Sequence, residues 1–294
     1  MKKIDRRFFL KAMGVTAATL AVGTSKTIAS DPAQEVGDLP ELKGILFDAT
    51  KCKGCHGCEY DCAWEHGLTE PDVIDEDEHR KTDHTRRTVV NKYNTSKGKV
   101  FVKTQCMNCN DPACGTACLT EAMYKTKDGS VIWREDKCMG CRYCMVSCPF
   151  EMPKFEYHST NPKIQKCDMC YHLQQQGEMP ACAYNCPNEA LYFGTRRELI
   201  LEANKRIAEN PDLYYPHIYG EHEAGGSSWM YISPVPFEEL GFNTKIQNKS
   251  YPALTKGFIS SIAPVDILLP ATLLGIYEAT KKPKSGTHEK EELS

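Results

Sequence analysis

All sixteen cysteines of this 294-residue chain fall into four groups of four, with none left over. The groups are Cys52-Cys55-Cys58-Cys62, Cys106-Cys109-Cys114-Cys118, Cys138-Cys141-Cys144-Cys148 and Cys167-Cys170-Cys182-Cys186. The first and third share the spacing C-x2-C-x2-C-x3-C, and the third and fourth each end in Cys-Pro, at Pro149 and Pro187. Few folds satisfy that pattern, because three thiols within seven residues must converge on one point. A disulfide framework fits poorly, since cysteines so closely spaced are poor partners for one another. A chain of this length also builds hydrophobic cores without the staples of small secreted domains. Zinc accepts C-x2-C pairs, but it gathers two distant pairs around one tetrahedral ion.

Three closely spaced thiolates suit three corner irons of one cubane, with the fourth cysteine of the run serving the neighbouring cluster. Sixteen thiolates at four per cluster give four [4Fe–4S] clusters and the same sixteen cysteines as iron ligands. Gly54, Gly57 and Gly140 stand beside cysteines, where the backbone has to curl and aim N–H groups at sulfur. Lys51, Lys137 and Lys166 each precede the first cysteine of a group, and a cation there eases reduction of an anionic cluster. The bland alternative for each lysine is solvated surface. The formal charge of −3 omits the clusters, so the loaded protein is more acidic. His56 inside the first run is a candidate hydrogen-bond partner for a cluster, and His172 follows Cys170. Tyr143, Tyr171, Trp64 and Phe150 are expected to shield clusters from water. No phosphate-binding glycine loop, nucleotide fingerprint or nucleophile set stands out, so no catalytic residue is assigned.

Along the chain, residues 1–29 read as an export signal, with Arg6-Arg7 ahead of an apolar small-residue stretch and Thr27-Ile28-Ala29 as cleavage site. Paired arginines mark the twin-arginine route, which carries proteins already folded around their cofactors. An ordinary secretory signal is the alternative. Residues 30–43 form a polar linker. Ile45-Leu46-Phe47, Val100-Phe101-Val102 and Leu191-Tyr192-Phe193 read as strands. Ala122-Met123-Tyr124 and Val131-Ile132-Trp133 form a hairpin across Asp128-Gly129. The charged insertion between Trp64 and Lys99 reads as a solvated loop, with partner docking as the second option. Arg196–Asn210 reads as an amphipathic helix packing Leu199, Ala203 and Ile207. Residues 211–250 are loop-rich, an arm able to contact a partner. Phe258–Tyr277 has the length of a membrane span, weakened by Pro264, Asp266 and Pro270, and Lys281-Lys282-Pro283-Lys284 marks its cytoplasmic end. A docking or interfacial helix is the alternative. The tail at 281–294 is expected to be disordered and cytoplasmic.

The four runs, the stretch Cys138-Met139-Gly140-Cys141-Arg142-Tyr143-Cys144-Met145-Val146-Ser147-Cys148-Pro149-Phe150 and the twin-arginine start resemble the four-cluster electron-transfer subunits of the dimethyl-sulfoxide-reductase iron–sulfur type. Outside the cysteines, Phe193–Leu199, Tyr215–Glu221, Gly241 and the hydrophobic tail resemble the iron–sulfur subunits of periplasmic, membrane-bound [NiFe] hydrogenases of the hydrogenase-2 type. The resemblance implies an α+β fold of tandem ferredoxin-like double-cluster units. One unit is made from 44–105 and 150–200, with 106–149 inserted as the other. A helix and arm follow at 201–256, then a single C-terminal membrane helix at 257–280. It implies the ligand sets Cys52, Cys55, Cys58, Cys186; Cys62, Cys167, Cys170, Cys182; Cys106, Cys109, Cys114, Cys148; and Cys118, Cys138, Cys141, Cys144. It also implies hydrogenase small and large subunits and an integral-membrane quinone-reactive subunit as partners, at the periplasmic face of the cytoplasmic membrane. The first and second runs lack the proline, with Ala63 and Leu119 in its place. The reading is therefore a non-catalytic electron-transfer subunit relaying electrons from a hydrogenase towards quinone. Its rivals are the same role for a molybdopterin oxidoreductase and a zinc-stabilised scaffold.

Overall fold

The apolar run at Ile45 becomes a strand buried on both faces, β1 (Lys43–Asp48), in the computed structural model, which describes residues 41–71 and 78–281. The export signal at 1–29, the linker up to residue 40 and the tail from 282 lie outside the described residues. In chain order β1 is followed by α1 (Gly57–Glu65), β2 (Thr88–Thr95), β3 (Gly98–Gln105), α2 (Ala113–Thr116), β4 (Met123–Lys125), β5 (Val131–Trp133), α3 (Tyr143–Val146), β6 (Lys154–Phe155) and β7 (Ile164–Gln165). Next come α4 (Tyr171–Gln174), α5 (Ala181–Tyr184), β8 (Leu191–Thr195), α6 (Arg196–Glu209), β9 (Trp229–Ile232) and α7 (Tyr251–Thr280). Helix and strand are thus mixed, with short helices directly beside the cysteines.

The described residues from 41 to 256 form one body around a three-stranded sheet ordered β8-β1-β9. β1 pairs antiparallel with β8 and parallel with β9. Alternation along β1 divides the core. Leu46, with Met230 and Ile232, faces α6 through Leu199 and Ala203. Ile45 and Phe47, with Trp229 and Tyr231, face the β2–β3 hairpin and the cysteine loops. Thr195 caps α6 by accepting from the Glu198 N–H; Thr195-Arg196-Arg197-Glu198 spells a capping box, but the Glu198 carboxylate takes the Thr195 hydroxyl at 2.8 Å in place of the backbone N–H. Asp48 ends β1 fully buried. It accepts from the Thr50 N–H at 3.0 Å, Arg206 at 3.1 Å and Tyr214 at 2.8 Å, which holds the entry to the first cysteine run.

Two expectations are corrected here. The insertion between Trp64 and Lys99 is not simply a solvated loop. Residues 88–91 are buried in β2, which pairs with β3 over its whole length. Arg80 from the charge run lies against buried Glu59 at 2.6 Å, because a buried carboxylate requires a cation and hydrogen bonds. Likewise, the loop-rich segment 211–250 supplies β9. All four β9 residues are buried, so this segment builds the core of its own chain.

The remaining described residues, 257–281, belong to a second unit and continue α7. α7 is 30 residues long, about 45 Å at 1.5 Å per residue. It runs unbroken through Pro264 and Pro270, and none of its residues is buried. By length and composition it is apolar enough to cross a membrane.

Candidate metal centre

The cysteine loops are held by backbone conformations that ordinary residues avoid. Gly54 and His56 flank Cys55 at φ 70° and 58°, and Gly140 and Arg142 flank Cys141 at 71° and 62°. Asn108 and Met169 stand before Cys109 and Cys170 in the same left-handed region. Each such non-glycine residue costs roughly 1–3 kcal/mol, so the surrounding structure must over-determine it. At Gly54 the reason for glycine is direct, since a Cβ would sit 2.3 Å from the Phe101 ring.

A second regularity follows the last cysteine of three runs. Glu121, Glu151 and Glu189, three residues after Cys118, Cys148 and Cys186, are all left-handed, and each donates its N–H to that cysteine's carbonyl. After each of these turns the next N–H is aimed at sulfur: Ala122 reaches Cys118 Sγ at 3.1 Å, Ala190 reaches Cys186 Sγ at 3.3 Å, and the Met152 N–H serves Cys148. The first run departs from this, because Cys62 sits inside the nine-residue helix α1.

All sixteen thiols are free. Their mutual electrostatic influence sorts them into four neighbourhoods. Cys52 is perturbed by Cys55 and Cys186, and Cys58, which is perturbed by Cys52, lines one cavity with all three. Cys62 is perturbed by Cys167, Cys182 and Cys170. Cys109 is perturbed by Cys106, Cys148 and Cys114. Cys144 is perturbed by Cys118, Cys138 and Cys141. The neighbourhoods adjoin in one order. Cys58 lies near Cys182, Cys167 near Cys106, and Cys114 near Cys144. Cys55 and Cys141 are the exposed thiols, one in the first neighbourhood and one in the last.

Burial pushes most of these thiols up, Cys52 and Cys148 to about 11 and Cys114 and Cys167 to about 12. Burial also raises Cys118, but N–H groups including that of Met123 outweigh it and hold this thiol below the usual range. Four crowded, buried thiols that resist ionisation are matched by a polynuclear cation, which lets all four deprotonate. The donor set therefore fits iron–sulfur cubanes. A cavity lined by Cys52, Cys55, Cys58 and Cys186 is also lined by His56, whose Nε2 is buried without a partner. Its Nδ1 is fixed by Glu59 at 2.9 Å.

The other expected neighbours divide. Of the three lysines, Lys166 is buried and donates to the Cys167 carbonyl at 2.9 Å. Lys51 donates to the Tyr192 hydroxyl, and Lys137 is exposed. His172 turns to Glu65 at 2.6 Å. His66, which the sequence did not single out, lies 3.7 Å from Cys170 Sγ and 3.5 Å from Asp168, the latter also paired with Arg87 at 3.1 Å. His66, Asp168 and Cys170 offer ligand atoms within 4.8 Å of one another. The shielding role expected of the aromatics fails for Trp64 and Tyr143, which are 80% and 57% exposed. On α1 the buried face carries Glu59, Cys62 and Ala63, and Trp64 falls off it. Phe150 packs against the main core as expected.

Lys103 carries no signal in the sequence that marks it as a site residue. It is 1% exposed, and its ammonium lies among Cys182, Cys58, Cys167 and Cys62.

Comparison with known proteins agrees with this chemistry. The 4Fe-4S dicluster domain family matches residues 98–196. A protein of Nitratidesulfovibrio vulgaris is 41% identical over 290 residues, covering 95% of this chain and 78% of its own length. The hydrogenase-2 operon protein HybA of Escherichia coli O157:H7 is 30% identical over 323 residues, 97% of each chain. The iron–sulfur subunit of the nitrate-inducible formate dehydrogenase of Escherichia coli K12 is 28% identical over 273 residues, 86% of this chain and 89% of its own. The chain belongs to the family of iron–sulfur electron-transfer subunits that includes these hydrogenase and formate dehydrogenase proteins and their counterpart in anaerobic dimethyl sulfoxide reductase.

Proposed function

We propose that this chain binds four [4Fe–4S] clusters and relays electrons between a periplasmic [NiFe] hydrogenase and a membrane quinone-reactive subunit. The observation that carries the reading is the grouping of sixteen free thiols into four neighbourhoods of four. The ligand sets are Cys52, Cys55, Cys58, Cys186; Cys62, Cys167, Cys170, Cys182; Cys106, Cys109, Cys114, Cys148; and Cys118, Cys138, Cys141, Cys144. The first two sets form one double-cluster unit and the last two its inserted counterpart. Each bound cluster supplies a one-electron site. The residues do the rest: N–H groups and buried cations hold the sulfurs, and the core of 41–256 keeps water out.

In the order of the neighbourhoods, Cys55 lies at one end and Cys141 at the other. Exposed apolar side chains accompany both end sets, with Tyr60 and Tyr184 near Cys58 and Cys186 of the first in sequence and Leu119, Met139, Tyr143 and Val146 near the last. Such patches mark protein contacts, and they suit an electron donor at one end and an acceptor at the other. The chain itself carries no catalytic residue. α7 exceeds the ~30 Å hydrocarbon core of a bilayer and is followed by lysines, which supports a C-terminal anchor with the cluster domain outside the cytoplasm. Export of the folded protein follows from the paired arginines at 6 and 7.

A molybdopterin oxidoreductase is the second reading, favoured by the formate dehydrogenase match. The more complete coverage of HybA favours hydrogenase. Metal analysis of the complex purified from membranes through this chain separates them. Nickel with abundant iron is expected. Molybdenum or tungsten without nickel would reassign the partner and leave the relay intact.

A further inference from the structure

Lys103 is a buried lysine without a carboxylate. It lies on β3, 1% exposed, among the largest fully buried side chains of the protein. Its ammonium donates to Thr88 Oγ1 at 2.7 Å and to Gln105 Oε1 at 3.1 Å, and it stands 4.8 Å from the centre of the Trp229 ring. All three partners are neutral. Among the described residues it forms no ion pair with Asp or Glu. The scaffold is itself fixed: Thr88 faces Gln105 across the β2–β3 ladder, Gln105 donates to the Tyr231 hydroxyl, and Trp229 is fully buried.

An ammonium removed from water is costly unless an opposite charge compensates it. The groups that influence Lys103 most are Cys182, Cys58, Cys167 and Cys62. Lys103 is in turn the foremost positive charge acting on Cys58, Cys167 and Cys182. The Trp229 ring beneath the ammonium packs in one core with the same three cysteines. Cys58 belongs to the first ligand set, and Cys62, Cys167 and Cys182 belong to the second. The third set has lysines of its own: Lys125 acts on Cys109, and Lys166, also buried, acts on Cys114 and Cys148. Both donate to backbone carbonyls, Lys125 to Asn108 and Gly129 and Lys166 to Val131 and Cys167.

We propose that Lys103 is a positioning residue for electrons: a buried positive charge beside the first two ligand sets that raises the reduction potentials of their clusters. The proposal rests on the four-cluster reading above. A positive charge favours the reduced, more anionic form of a cluster, and in a water-free interior its effect is weakly screened. The β2–β3 hairpin, which contributes no ligand to either set, thereby tunes both.

The test is a redox titration of the holoprotein, followed by electron paramagnetic resonance and visible absorbance, after iron content has shown that the clusters are loaded. In Lys103→Met, two of the four cluster components should shift to lower potential. At a fixed ambient potential their reduced-to-oxidised ratio falls about tenfold, equivalent to ~59 mV for one electron. The other two should not move. Thr88→Asp gives an independent route, because it places a carboxylate against the ammonium without removing it, and the same two components should shift in the same direction. If Lys103→Met does not fold, Thr88→Asp decides. Unchanged potentials in a fully loaded variant overturn the proposal. So does loss of the first-pair clusters in both variants with the second pair intact, which would make Lys103 a requirement for assembly. A wild-type chain with fewer than four clusters would instead overturn the four-cluster reading.

Discussion

Replacing Cys167 with alanine is expected to remove about a quarter of the bound iron and to reduce hydrogen-dependent quinone reduction by the assembled complex to background, at four irons per cubane and one cubane of four lost. Cys167 is buried where the second and third thiol neighbourhoods meet, since Cys182 and Cys106 are both among the groups that perturb it. Its removal leaves Cys62, Cys170 and Cys182 without a fourth ligand. It also withdraws a counter-charge from Lys103, so an open three-thiol site there is doubly disfavoured. Because the second neighbourhood lies between the exposed end at Cys55 and the inserted pair, its loss opens a gap in the order in which the four sets adjoin. Cys167→Ser, with a weaker oxygen ligand, should fall between. Iron and sulfide analysis with single-turnover reduction kinetics reads both effects. Full iron content in Cys167→Ala would contradict the ligand set. A quarter less iron with undiminished electron transfer would contradict the linear relay.

The second large effect is expected at Trp229. The ring is fully buried in β9, whose parallel register sets Trp229 opposite Ile45 and Tyr231 opposite Phe47. Trp229→Ala empties the centre of the core beneath the cysteine loops and removes one neutral wall around Lys103. The cost is about 3–5 kcal/mol, a large part of the roughly 5–15 kcal/mol that holds a typical domain together. Trp64→Ala is the control: Trp64 is 80% exposed, and its loss should change stability by less than ~0.5 kcal/mol. Anaerobic urea denaturation of the loaded proteins compares them. Equal midpoints for the two variants would remove β9 from the core.

These two tryptophans show where the sequence was legible. The cysteine spacing is local, so the chemistry could be read directly, and strands bounded by turn residues could be placed because the period-two and glycine signals are local as well. β1, β3, the β4–β5 hairpin, β8 and α6 all stand at their expected positions. Trp64 lay beside a ligand in sequence and was given a role that its position on α1 denies. Trp229 lay in a loop-rich stretch, although Trp229-Met230-Tyr231-Ile232, framed by Ser228 and Ser233-Pro234, carries the signal of a short buried strand. The pairs that matter most are long-range. Arg80 meets Glu59 across 21 residues, and Lys103 meets thiols of the first and fourth runs. A lysine in an alternating strand reads as solvent-facing by default. Only the folded hairpin shows that its side of β3 faces sulfur.

The number of clusters is the quantity on which the relay most directly depends. Iron, acid-labile sulfide and zinc should be measured per chain in the anaerobically purified complex, with the visible spectrum recorded before and after dithionite. About sixteen irons and sixteen sulfides attributable to this chain, at four of each per cubane, with broad absorption bleached on reduction, are the predicted result. A colourless chain that is folded around zinc, or one holding only half that iron when fully loaded, would contradict it.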